Sequence, residues 1–178
     1  MPRIRTLAAT AVAFAAIALQ GAQTQTGEKP LSPPATARSA IAGKEIVVQY
    51  CSPSMRGRRI MGGLVPFNKV WRTGANAATT LITQGDLRIA GLAVPRGTYT
   101  LYTIPGERDW TLIINRQTGQ WGTQYDETQD LGRVRMNVRT LPSPVESFVI
   151  SVEPVAANRG VLRLTWETTE ASVPIVVE

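Results

Sequence analysis

The sequence contains no histidine and only one cysteine, Cys51. Without imidazole and with a single thiol, zinc sites and transition-metal centres built on those ligands are excluded. A serine–histidine–aspartate triad is excluded as well, and so is any disulfide within the chain. A cysteine nucleophile wants a histidine beside it, so Cys51, just after a strand-like run, reads as a half-buried packing group. Oxygen-ligand cations such as calcium remain, but no loop is dense enough in Asp, Asn and Glu to hold one. No metal and no cofactor is therefore expected.

Lysine is scarce too: Lys29, Lys44 and Lys69 are the only three among 19 basic residues, and the rest are arginine. A planar guanidinium pairs bidentately with carboxylate and phosphate, so the bias fits anion recognition. A biased genomic base composition produces the same excess. The arginines are scattered rather than in runs, which argues against nucleic acid as a partner.

No apolar run is long enough to cross a membrane, which takes about 20 residues. The longest, residues 7–19, follows the basic start Met1-Pro2-Arg3-Ile4-Arg5 and ends at Gln20. That pattern is a cleavable signal peptide over residues 1–22, implying a periplasmic or extracellular protein with no transmembrane segment after cleavage. Loss of Arg3 and Arg5 leaves 17 basic against 13 acidic residues, a net charge of +4. Residues 23–43 are rich in Pro, Ala, Thr and Ser and poor in large apolar groups, so they read as a flexible tether. The remaining residues, 44–178, suit one domain.

In that stretch, helical periodicity is missing and short alternating runs replace it. Ile46, Val48 and Tyr50 share one face of the first run. Runs at 79–84 and 87–90 flank Gly85-Asp86, the signature of a tight hairpin. Further runs cover 97–104 and 109–116, then Val134/Met136/Val138 and Phe148/Ile150/Val152. Leu162/Leu164/Trp166 and Val173/Ile175/Val177 complete the set. About nine strands, most with one polar face, predict an all-β fold: a single antiparallel β-sandwich.

Residues 52–80 break the alternation and form a long Gly- and Arg-rich connection, of the length that tends to be functional or disordered. Trp71, Val70, Leu64 and Ile60 within it argue against disorder. Arg56-Gly57-Arg58, Gly62-Gly63-Leu64-Val65-Pro66 and Val70-Trp71-Arg72-Thr73-Gly74-Ala75-Asn76 lie here. With Gly97-Thr98-Tyr99-Thr100-Leu101-Tyr102-Thr103-Ile104-Pro105, Trp110-Thr111-Leu112-Ile113-Ile114-Asn115, Trp121-Gly122 and Tyr125, these motifs closely resemble the bacterial family called domain of unknown function 2911. The resemblance spans about residues 44–178. It implies an exported β-rich domain and carries over no activity or catalytic residue. The chain departs from the family pattern at Ala77, where an acidic residue is expected.

Two readings of Trp71–Asn76 stand side by side. In one, Arg72 and Asn76 offer hydrogen-bonding groups to a ligand that Gly74 and Ala75 let approach the backbone. In the other, Trp71 anchors the loop in the core while Arg72 and Asn76 satisfy loop carbonyls. The candidate ligand-binding residues are Arg56, Arg58, Arg72, Thr73, Asn76, Trp121 and Tyr125; no catalytic residue is assigned. They suit a noncatalytic periplasmic or secreted binding or structural module. Its partner would be an envelope glycan, a peptide or a small anionic ligand. The alternative is a carboxylate-dependent hydrolase or lyase acting on cell-envelope carbohydrate, drawing on Asp109, Asp126, Glu127 and Asp130. Sheet edges also permit self-assembly, and the oligomeric state stays open, monomer or homo-oligomer.

Overall fold

The computed structural model describes residues 31–178. The signal peptide expected over residues 1–22 lies outside the described residues. Nine strands form: β1 (Pro34–Ile41), β2 (Lys44–Cys51), β3 (Thr79–Thr83), β4 (Leu87–Ile89), β5 (Leu92–Val94), β6 (Gly97–Pro105), β7 (Trp110–Asn115), β8 (Asp130–Ala156) and β9 (Arg159–Val177). A 3-10 turn at Glu127–Gln129 is the only helical element among the described residues. All pairings between these strands are antiparallel, in one sheet of order β1-β2-β3-β6-β7-β8-β9-β4-β5 that does not close into a barrel.

The expected all-β, antiparallel architecture is present, and its sandwich-like form comes from β8 changing partners. Its first residues pair with β7, from Asn115↔Asp130 to Trp110↔Met136. From Asn137 onward it pairs with β9 instead. The sheet thereby folds over itself, so that Ile46, Val48, Leu81, Leu101, Leu112 and Ile114 share one core with Phe148, Ile150, Leu162, Leu164, Trp166 and Ile175.

The total of nine strands matches the sequence expectation, but its members differ. Residues 34–41, expected in the tether, are strand β1, paired along its length with β2. Its small residues give a faint alternation, yet Ala37 and Ile41 are core residues. β5 was not expected at all. Conversely, four expected strands are two. Pro142 and Pro144 fall between two of the expected runs but lie inside β8, where the register shifts between Thr140 and Val145, a place where proline costs no ladder hydrogen bond. The polar stretch 167–172, between two expected runs, is strand as well, and β9 runs through it: Glu170 is buried and held by Arg139 at 2.7 Å and Arg163 at 2.8 Å.

The hairpin expected at Gly85-Asp86 does not exist. β3 pairs with β2 and β6, whereas β4 pairs with β5 and β9. The Thr83 hydroxyl closes this corner on the backbone of Gly85, and the chain crosses to the other half of the sheet.

One local feature positions the site. The face of β6 and β7 turned away from the core carries Thr100, Tyr102, Ile113 and Asn115, all fully buried. Residues 116–129 cover it. Thr100 donates to the Gln117 carbonyl at 2.7 Å, Tyr102 to the Gln124 carbonyl at 3.3 Å and Asn115 to the Asp126 carbonyl at 2.8 Å. Polar side chains on this strand face thus bind a loop backbone that would otherwise lack partners.

Candidate functional site

The site begins with Trp71. Its indole stacks on Trp166 (centroids 5.9 Å apart, 18° between planes) and meets Trp110 edge-on at 6.3 Å and Phe148 at 5.1 Å. Its backbone exchanges both hydrogen bonds with Thr103, at 2.7 and 2.9 Å. Large buried aromatics supply most of the local packing energy, so this point of the long connection is rigid.

The next residues turn sharply. Thr73 has φ 53° and Asn76 φ 58°. A β-branched residue in the left-handed region is a true outlier that costs on the order of 1–3 kcal/mol. Three contacts hold it: Thr73 Oγ1 lies within hydrogen-bond distance of Thr103 Oγ1 at 3.1 Å and of the Trp71 carbonyl at 3.3 Å, and Thr79 Oγ1 donates to the Thr73 carbonyl at 2.7 Å. Gly74, φ 152°, fits because a Cβ there would stand 3.0 Å from both the Cys51 carbonyl oxygen and Thr79 Oγ1.

Arg72 leaves this turn and lies along Gly122. A Cβ on Gly122 would stand 2.5 Å from Arg72 Cδ and 2.7 Å from the Asn76 carbonyl oxygen. Gly122 N–H donates to that same carbonyl at 3.0 Å. Val70, Trp71, Arg72, Gly122, Thr123 and Tyr125 then line an open cleft of about 380 Å³. Among the described residues nothing hydrogen-bonds or ion-pairs with the Arg72 guanidinium, and its Nε is buried without a partner.

Tyr125 forms the other wall. Its ring meets Tyr102 edge-on at 4.9 Å. Its hydroxyl donates to Asp130 Oδ2 at 2.8 Å and accepts from Arg133 Nη2 at 2.8 Å. Asp130 also accepts from Asn115 Nδ2 at 2.9 Å and from Arg133 Nε at 2.9 Å. Burial, reinforced by the Asp130 carboxylate, pushes the Tyr125 hydroxyl up to about 12. It is a neutral wall, unsuited to act as a base near neutral pH. Chiefly through its hydrogen bonds with Asp130, Arg133 is held even more firmly protonated than usual.

The remaining candidates from the sequence fall elsewhere. Thr73 and Asn76 build the turn behind Arg72, Thr73 fully buried and Asn76 engaged through its backbone. Trp121 is 53% exposed and bridges through its backbone to Ala77, outside the cleft lining. Arg58 folds onto the carbonyls of Met55 and Ser54, and Arg56 reaches the Leu31 carbonyl. Both sit beside the Ser54↔Ser147 bridge to β8 and do not join Arg72. Val70, Gly122 and Thr123 went unrecognised as lining residues, because no local pattern links position 72 to position 122.

The acids are committed. Asp109 pairs with Arg135 on the surface, and Glu127 pairs with Arg133 at 2.6 Å. Asp126 Oδ1 accepts from the Thr128 amide at 2.9 Å and the Thr128 hydroxyl at 2.7 Å. Cys51 lines a separate hollow of about 210 Å³ with Tyr50 and Ala77. Among the described residues there is no group of three or more Cys, Asp or Glu side chains arranged to hold a metal ion. Nor is any helix among them long and apolar enough to cross a membrane.

Fold and site together define an all-β antiparallel domain with an arginine-lined cleft between its long 52–78 connection and the segment that covers β6 and β7. The chain belongs to the family described as Protein of unknown function (DUF2911), whose model matches residues 32–175. No curated protein and no solved structure matches it.

Proposed function

We propose that this is an exported, periplasmic or secreted, noncatalytic binding module whose cleft takes an anionic ligand on Arg72. The observation that carries this reading is the state of that guanidinium. Arg38, Arg88, Arg133, Arg135, Arg139 and Arg163 each pair with a carboxylate. Arg72, like several surface arginines, has no such partner among the described residues, and it alone among the described arginines has a side-chain nitrogen buried without a hydrogen-bond partner. A buried donor left unpaired costs about 1–3 kcal/mol. Among the described residues the Nη groups of the same guanidinium carry no protein hydrogen bond either, so an anion entering the open cleft has a fork of donors to meet.

The rigidity around Arg72 supports the same reading. A binding group held by packed aromatics and a strained turn loses little freedom on capture, which favours affinity. The alternative, a carboxylate-dependent hydrolase or lyase, needs a free acid facing the cleft, and Asp126, Glu127 and Asp130 are already engaged. Export rests on the basic start and short apolar run at the N-terminus.

Calorimetric titration of the protein with small carboxylates, phosphates and neutral sugars tests this reading, with Arg72→Ala alongside. Saturable anion binding that the variant loses is the expected result. Anion binding that survives Arg72→Ala would remove the cleft from consideration.

A further inference from the structure

Resting on that reading of the cleft, we infer that its ligand is a carboxylated saccharide, a hexuronate unit whose carboxylate meets Arg72 and whose ring lies against Trp71 and Tyr125. Charge comes first. The lining holds a single cation and no acid, and its other polar side-chain groups, the hydroxyls of Thr123 and Tyr125 and the Trp71 indole N–H, are neutral. A phosphate monoester brings a charge of about −1.5 to −2, more than one guanidinium balances in a part-buried site. A carboxylate brings one charge, and its two coplanar oxygens match the guanidinium fork. A tetrahedral sulfate leaves a third oxygen facing apolar wall.

The walls indicate what carries the carboxylate. Val70, Trp71 and Tyr125 bring large apolar surfaces to the lining, and the Tyr125 hydroxyl is already engaged by Asp130 and Arg133, which leaves its ring as the group free to serve a ligand. A sugar has the complementary construction: a C–H face for an aromatic wall and hydroxyls for neutral donors such as Thr123.

A peptide would bind differently. Peptides commonly bind by adding a strand to open main chain. Of the lining residues, Trp71 is already paired with Thr103 in both directions and Gly122 donates to the Asn76 carbonyl, so a saccharide held by side chains suits the cleft better than a strand laid along it.

The test is calorimetric titration of the full chain with five probes: an oligogalacturonate, its methyl ester, galactose 6-phosphate, a sulfated galactose and a short peptide with a free C-terminus. The oligogalacturonate should bind, and its ester should bind about tenfold or more weakly, the scale of one charged hydrogen-bond pair. Arg72→Ala should lose the same factor for the acid and nothing for the ester. Arg72→Lys, which keeps charge but lacks the planar fork, should recover only part, and circular dichroism should find both variants folded. Equal affinity for acid and ester overturns the inference. Stronger Arg72-dependent binding of the phosphate, the sulfate or the peptide also overturns it while leaving the anion cleft standing. If binding of every anion is indifferent to Arg72, the inference and the reading beneath it fall together.

Discussion

Arg72 rests on Gly122: a single added methyl on that glycine would stand 2.5 Å from Arg72 Cδ. Fifty positions separate the two residues, and the hydrogen bond from Gly122 N–H to the Asn76 carbonyl, 3.0 Å, fixes their approach. The cleft is therefore a joint product of the strained turn at 73–76 and the segment that covers β6 and β7.

Gly122→Ala should displace the Arg72 side chain and weaken anion binding about as much as Arg72→Ala. Overpacking of this kind costs about 1–3 kcal/mol, so the domain should stay folded. Denaturation midpoints together with calorimetry separate the two effects; a variant that binds as the parent does would show that Gly122 does not position Arg72.

Tyr125→Phe keeps the ring and removes the hydroxyl that joins Asp130 and Arg133. The folded hydroxyl lies at about 12 against an ordinary 10.0, so the neutral form is favoured by folding. Its contribution to stability is complete below about pH 10 and is lost as pH rises to about 12. Ultraviolet titration of tyrosinate should find a group with a midpoint near 12 that disappears in Tyr125→Phe. The variant should also lose roughly 1–2 kcal/mol of stability at neutral pH, because two charged groups lose a hydrogen-bond partner.

How much of this was legible in the residues alone varied with the range of the interaction. Val134, Met136 and Val138 announced their strand by strict alternation, and Trp71 announced an anchor within an irregular stretch. β1 was hidden because its inward residues are mostly small and sit beside Pro33 and Pro34, a composition that favours disorder. Pro142 and Pro144 hid the continuity of β8, since a register shift that tolerates proline is visible only once the partner strand is known. Arg72 and Tyr125 were both candidates, but nothing local joins them to each other or to Gly122. Arg56 and Arg58 resembled Arg72 in sequence, and only tertiary structure separates arginines that bond nearby backbone carbonyls from one facing a cleft.

Ile41→Ala tests the correction at β1. Ile41 is a core residue packed over Gly160 at the β8–β9 turn, and truncating a buried isoleucine costs about 2–5 kcal/mol. Urea denaturation should register a loss in that range. A change below about 0.5 kcal/mol, the usual scatter for surface substitutions, would mean that residues 34–41 behave as a tether after all.

Glu170 predicts an acid sensitivity. Its hydrogen bond with Arg139, together with the charges of Arg163 and Arg139, lowers the carboxyl below its ordinary value against an opposing effect of burial. A group lowered in the folded state contributes stability above its unfolded pKa, 4.5, and loses it as pH falls through the folded value. Glu170→Gln should destabilise the protein at neutral pH and flatten the fall in stability below about pH 4.5. Denaturation midpoints across that range check it; an unchanged slope would assign the acid sensitivity to other carboxylates.

The central claim is that the unpaired guanidinium of Arg72 receives the ligand's anionic group, and its Nε–H resonance reports on that directly. Nuclear magnetic resonance of the arginine side chains, assigned by comparison with Arg72→Lys, should find this signal moving saturably as galacturonate is added and standing still when galactose is added. An Arg72 signal that is unmoved by galacturonate, or that responds equally to galactose, would contradict the account.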